Sequence, residues 1–185
     1  MKKKVFKFIF QKVLGWDAVF EVEIPNKCVI TVAPHTSNWD LIIGKIFYAA
    51  YDSGASFMMK KEWFFFPLGY IFKAFGGVPV HRDKNTSLVD QMSAKFKERD
   101  KFHLAITPEG TRKPNPKWKK GFFYIAQAAN VPIVVIGINY KKKTVVVGKI
   151  IEPKDKTIEE VMPLVKDFYK DFNGKIPANF DIGKY

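Results

Sequence analysis

Two hydrophobic periods alternate along this chain. Short apolar runs bounded by Pro, Gly or Asn read as strands at 18–24, 27–33, 56–59, 78–81, 102–107, 131–140 and 144–151. Between most of them, apolar residues return every three or four positions. That spacing predicts helices over 38–51, 62–75, 86–99, 121–130 and from 157 to about 172. Gly54 lies just past the first of these and Gly76-Gly77 end the second, which Pro67 is expected to kink. In 86–99 the inner face is Leu88, Val89, Met92 and Phe96. Thr157 and Glu160 have the spacing of a capping box. Lys141-Lys142-Lys143 separates the last two strand patterns and suggests an antiparallel hairpin, and the tail from Asn173 reads as irregular.

Strands alternating with helices imply an α/β fold. The expectation is a single domain with a largely parallel mixed sheet flanked by helices and an antiparallel edge. Residues 17–185 form that domain, with no linker, repeat or low-complexity tract. Residues 1–16 stand apart, with five lysines and no acid. As a helix they place Phe6, Ile9, Phe10, Val13 and Leu14 on one face, giving an N-terminal amphipathic helix suited to an anionic membrane surface or to packing on the domain. A signal peptide does not fit, because Lys7 interrupts the apolar stretch and no small-residue cleavage site follows. The longest apolar stretch, from Trp63 to Phe72, contains Pro67 and ends at Lys73. It falls well short of the roughly 20 residues a spanning helix needs.

Composition sharpens the choice of partner. The 185 residues carry 31 Lys and Arg against 18 Asp and Glu, a formal charge of +13 that implies anionic partners. Aromatics make up 16% of the chain, with 18 Phe, which suggests an apolar ligand or a membrane interface beside a Phe-rich core. Cys28 is the lone cysteine and sits in an apolar run, so an intramolecular disulfide or a cysteine-rich metal site is excluded.

Candidate chemistry collects where strand patterns end. After the run 27–33 comes Pro34-His35-Thr36-Ser37-Asn38-Trp39-Asp40. Ser37 and Asn38 are good helix N-caps, which puts Asp40 in a first helical turn where His35 can fold back to it as a base and its orienting carboxylate. A structural histidine held by a local acid is the alternative. Gly76-Gly77-Val78-Pro79-Val80-His81-Arg82 puts Arg82 at the carboxyl end of a short strand, where ligands of open α/β sheets gather. Thr107-Pro108-Glu109-Gly110-Thr111-Arg112 follows another strand. There Gly110 permits close backbone approach, Thr111 offers a hydroxyl, Arg112 a fork suited to phosphate, and Glu109 a partner for Arg112 or for a substrate hydroxyl. Val131-Pro132-Ile133-Val134-Val135 says only core.

In order and form these four segments resemble the motifs of the glycerolipid acyltransferase family, which includes lysophosphatidate acyltransferases. The family's H-x4-D, G-x-x-F-x-x-R-like, F-P-E-G-T-R and V-P-I motifs read here H-T-S-N-W-D, G-G-V-P-V-H-R, T-P-E-G-T-R and V-P-I-V-V, within residues 30–138. Pro79, Thr107 and Val135 depart from the pattern and bear on acceptor shape. The resemblance implies transfer of a fatty acyl group from acyl-CoA or acyl carrier protein, as co-substrate, to a hydroxyl of a lysophospholipid, 1-acylglycerol 3-phosphate first among them. Glycerol 3-phosphate and lyso-aminolipids are the other acceptors. His35 and Asp40 would be catalytic, and Arg82, Glu109, Gly110, Thr111 and Arg112 would bind the phosphorylated acceptor. No metal or cofactor is implied. The enzyme would be peripheral, on the cytoplasmic face of the membrane, with Lys113, Lys117, Trp118, Lys119 and Lys120 toward coenzyme A or lipid head groups.

An acyl-enzyme route through Ser37 or Cys28 competes, although no G-x-S-x-G elbow is present. Outside enzymology, a basic nucleic-acid-binding module or a non-catalytic lipid-binding protein would explain the charge, yet no nucleic-acid motif is visible.

Overall fold

The computed structural model describes residues 2–51, 54–81 and 87–183. A helix α1 (Lys2–Phe8) leads through a π-helical turn (Ile9–Val13) to strand β1 (Asp17–Phe20). Then come β2 (Lys27–Ala33), α2 (Trp39–Tyr51), β3 (Phe57–Lys60), α3 (Leu68–Ala74) and β4 (Gly77–Val80). The rest comprises α4 (Leu88–Lys97), β5 (Phe102–Ile106), α5 (Gly121–Ala129), β6 (Ile133–Asn139), β7 (Thr144–Ile151) and α6 (Ile158–Tyr169).

The main sheet has the order β1-β7-β6-β2-β5, parallel throughout except for the β6–β7 hairpin. β3 and β4 pair in parallel as a second, small sheet. It is tied to β5 through Ser56, whose N donates to the His103 carbonyl at 2.8 Å and whose carbonyl accepts from Ala105 N at 2.8 Å. The expected single α/β domain with a largely parallel mixed sheet is what forms. Pro79 is tolerated in β4 because that strand has a partner on one side only.

Alternation along β2 and β6 divides the core in two. Val29, Ala33, Ile133 and Val135 face Met92 and Phe96 of α4, Phe122 of α5, and Val161, Val165 and Tyr169 of α6. Cys28, Ile30, Val134, Ile136 and Ile138 face Ile43, Phe47 and Tyr48 of α2, together with Phe10 and Trp16 from the N-terminal segment. α6 and the residues just after it press so closely on the hairpin that a Cβ at Gly137 would collide with the Phe172 ring and one at Gly148 with the Phe168 ring. The capping box at its start is formed, with Thr157 N donating to Glu160 Oε2 at 2.7 Å.

The N-terminal helix packs on the domain, one of its two expected placements, with Phe10 wholly buried among Trp16, Phe47 and Tyr51. Three expectations need correction. Val13, expected on its inner face, is 65% exposed, because the π-helical turn winds more residues into each turn and rotates it outward. Residues 62–75 do not form one kinked helix. A 3-10 turn (Lys61–Trp63) ends before Pro67, which disfavours helical geometry at the preceding residue, and α3 starts only after it. The first strand stops at Phe20, short of residue 24.

Candidate active site

Because β2, β5 and β6 are parallel neighbours, their carboxyl ends meet at one edge of the sheet. The loop from Pro34 to Asn38 leaves β2 there and wraps the carboxylate of Asp40, which lies in the first turn of α2. Asp40 Oδ2 accepts from Thr36 N at 2.7 Å, Ser37 N at 2.8 Å and His35 Nδ1 at 3.2 Å. Asp40 Oδ1 accepts from the Tyr140 hydroxyl at 2.8 Å, just past the end of β6. Asp40, only 4% exposed, thus has both carboxylate oxygens hydrogen-bonded at the N-terminus of α2.

His35 spends its Nδ1 hydrogen on Asp40. That fixes the tautomer and leaves Nε2 with a free lone pair, the condition for a base. Its side chain is 23% exposed and borders a cavity of about 560 Å³, with Asn38, Asp40, Thr107, Gly110 and Lys119 among the other walls. A second cavity of about 740 Å³ continues from it, sharing Leu41, Lys45, Tyr48, Ala55 and Phe57 and extending to Phe6, Ile71, Phe72 and Phe75. Together they form a mainly apolar groove running from the imidazole between α1, α2 and α3. Lys45 sits at the junction, its Nζ donating to the Ala55 carbonyl at 2.6 Å and lying 4.8 Å over the Phe57 ring. Burial brings its pKa down to about 8.

β5 delivers the second motif to the same edge, but not every residue faces the cavity. Glu109 is 1% exposed and is absent from the cavity walls. Its Oε1 accepts from His35 N at 2.6 Å, so the carboxylate pins the His35 backbone from beneath instead of reaching outward to a substrate hydroxyl or to Arg112. Burial, opposed by that hydrogen bond and reinforced by the charge of Asp40, pushes its pKa up to about 7. Gly110, at φ +69°, lets the chain turn where a Cβ would meet the Lys119 side chain at 2.9 Å. Arg112 is exposed and donates to Asn38 Oδ1, which places its guanidinium at the cavity mouth. Thr111 accepts from Lys113 N at 3.2 Å and shapes the loop. Arg82 lies outside the described residues.

Several sequence readings settle here. Of the three departures from the motif pattern, only Thr107 lines the cavity; Val135 is core and Pro79 is exposed in β4. Cys28 is wholly buried in apolar surroundings, out of reach of a thioester, and Ser37 Oγ accepts from Trp39 N at 3.2 Å at the start of α2. His103 is 2% exposed and its Nε2 bonds the Pro25 carbonyl at 2.8 Å, a structural role. Sequence reasoning missed Tyr140, and also missed Lys175, whose Nζ lies 4.4 Å over the Trp39 ring. The tail segment carrying Lys175 crosses the site, where Ile176 N donates to Thr36 Oγ1 at 3.2 Å. No group of three or more His, Cys, Asp or Glu among the described residues could hold a metal ion.

A histidine bonded to a carboxylate, an arginine at the mouth and an apolar groove thus meet at one edge of the sheet. The chain belongs to the acyltransferase family, whose model matches residues 19–139. Among curated proteins it is similar to the 1-acyl-sn-glycerol-3-phosphate acyltransferase of Saccharomyces cerevisiae. The two are 28% identical over 147 residues, which cover 74% of this chain and 47% of that protein, so this chain spans about half the yeast relative's length. Among solved structures, the Thermotoga maritima 1-acyl-sn-glycerophosphate acyltransferase PlsC shares the fold, with a TM-score of 0.59 at 18% identity, covering 93% of this chain and 81% of that one. The family expected from the four motifs is therefore the family found.

Proposed function

We propose that this chain transfers a fatty acyl group from an acyl thioester to a hydroxyl of a lysophospholipid, with 1-acylglycerol 3-phosphate as the acceptor. One observation carries the reading: His35, aligned by Asp40, borders an apolar groove whose two joined cavities, about 560 and 740 Å³, leave room for a fatty chain. In that reading His35 takes the acceptor's hydroxyl proton as the oxygen attacks the thioester carbonyl. A C–O bond forms, the tetrahedral oxyanion collapses, the C–S bond breaks, and the proton on His35 passes to the departing thiolate. Arg112 and Lys119 at the mouth supply positive charge for the acceptor's phosphate, with Arg82 added on the strength of its motif. Glu109 acts by holding the His35 loop. The donor is acyl-CoA or acyl carrier protein, and no cofactor or metal is part of the proposed reaction.

A panel of lyso-acceptors offered with a labelled acyl thioester tests this directly. Label should enter phosphatidate from 1-acylglycerol 3-phosphate. Label entering only glycerol 3-phosphate or a lyso-aminolipid would move the chemistry to that acceptor, and none entering any acceptor would sink the reading. DNA binding without turnover would return the basic charge to a nucleic-acid role.

The proposal extends to location: a peripheral enzyme on the cytoplasmic face of a membrane. No helix among the described residues is long and apolar enough to cross one. Instead, Phe8, Trp63, Phe65, Phe66, Tyr70 and Phe75 are all more than half exposed, far more apolar surface than a monomer scatters singly, and α1 adds exposed lysines beside them. Trp63–Phe72 is thus mostly outward-facing, with Ile71 and Phe72 reaching the groove. Deleting residues 2–14 would remove the buried Phe10, so the sharper test is Phe8→Ser with Phe66→Ser, two exposed positions. This pair should reduce binding to vesicles rich in anionic phospholipid severalfold while leaving the melting temperature near wild type. Unchanged vesicle binding would reject this surface as the membrane contact.

A further inference from the structure

Tyr140 comes from neither a motif nor the groove walls. The Tyr140 hydroxyl donates to Asp40 Oδ1 at 2.8 Å across 100 residues of sequence, and it is the partner that the described residues give that oxygen. The other carboxylate oxygen faces His35 and the backbone of its loop. We infer that Tyr140 is a positioning residue for the reaction. It clamps the outer oxygen of Asp40 so that the inner oxygen stays aligned on His35 Nδ1 while the imidazole gains and loses its proton. The inference rests on the proposed chemistry, since positioning has meaning only if His35 is the base.

The geometry supports a clamp over incidental contact. Asp40 is fixed along one side by two backbone N–H groups and His35, all on Oδ2, which leaves rotation about the carboxylate's own axis to be restrained from the opposite side. Tyr140 supplies that restraint from a well-held ring. Its backbone N donates to the Asn173 carbonyl at 2.8 Å, and Trp16 meets its ring edge-on at a centroid distance of 5.0 Å. A donor held at both backbone and ring has little freedom to lose when it bonds, so its orientation is transmitted to its acceptor. Burial, together with the hydrogen bond and charge of Asp40, raises the phenol's pKa, so the hydroxyl keeps its proton and remains a donor across the working pH range.

Phenylalanine at position 140 removes the hydroxyl and keeps the ring that Trp16 packs against. With the full-length chain, an acyl thioester and 1-acylglycerol 3-phosphate in mixed micelles, Tyr140→Phe should lower kcat about tenfold with KM within twofold of wild type. The decisive comparison is a double-mutant cycle with Asp40→Asn. If Tyr140 acts through the carboxylate, adding Tyr140→Phe to Asp40→Asn costs nothing further. Loss of equal size in both backgrounds assigns Tyr140 to packing and overturns the inference, as does wild-type kcat for Tyr140→Phe. Melting temperatures of all four proteins show whether any loss reflects unfolding. His35→Ala separates the two levels of argument. If it turns over like wild type, the proposed chemistry fails; if it is silent while Tyr140→Phe is unaffected, only the clamp fails.

Discussion

Alanine at position 35 should reduce kcat for acyl transfer by about 10²–10⁴-fold, the range that general-base assistance contributes. The structure makes this a clean experiment. His35 contributes two separate things to the site, and only one is its side chain. The backbone N that Glu109 Oε1 accepts from survives the substitution, so the loop around Asp40 keeps its anchor. Thr36 N and Ser37 N likewise still reach Asp40 Oδ2. What disappears is the imidazole and its Nε2. The loss should therefore fall on kcat, with KM for the acceptor little changed, and added imidazole should recover part of the rate. Transfer by His35→Ala at the wild-type rate would show that another group takes the hydroxyl proton.

Glutamine at position 109 should change how stability depends on pH, by about 3 kcal/mol between pH 4.5 and 8. Glu109 has its folded-state pKa pushed up to about 7 from 4.5, chiefly because the carboxylate is buried. Between those values the native protein holds a proton that the unfolded chain has released. The stabilisation linked to that proton is fully present below pH 4.5, falls as pH rises, and is gone once pH passes 7. Glutamine keeps an oxygen for His35 N and has nothing to titrate. Relative to wild type, Glu109→Gln should thus gain stability steadily from pH 4.5 to about 7 and then level off. Urea midpoints taken at pH 4.5, 6, 7 and 8 measure it. Parallel wild-type and variant curves over that interval would mean that Glu109 does not carry the buried charge assigned to it.

How much of this was legible in the sequence follows from the range of the interactions. His35 and Asp40 are five residues apart, and one strand-to-helix turn suffices to join them, so spacing alone located the pair. The β6–β7 hairpin and the Thr157 capping box are local for the same reason and formed as expected. Glu109 illustrates a middle case. Its position at a strand end was readable, but P-E-G-T-R followed by lysines looks like a solvated loop, and nothing in that pattern says the glutamate turns inward to a backbone 74 residues away. Tyr140 was invisible. It sits at the junction of an apolar strand and three lysines, and only the placement of β6 beside β2 brings it to Asp40. Pro67 showed a break, but not whether a helix would bend or restart. Val13 was misplaced because a π-helical turn leaves no mark in a pattern read with a period of 3.6.

The tail that crosses the loop after β2 has a consequence for how the protein comes into being. Ile176 bonds Thr36 across 140 positions, Tyr169 lies 2.8 Å from the Thr31 carbonyl across 138, and Asn173 holds the backbone of Tyr140. Contacts this distant in sequence carry a large loop-closure cost and slow the folding that makes them. A nascent chain that has exposed the whole H-x4-D segment still lacks β6, Tyr140 and the segment around Ile176 that pack against it. The site around His35 would be completed only once the segment through Ile176 has folded onto it. His35 thus has its shaped surroundings only when the domain around it is whole.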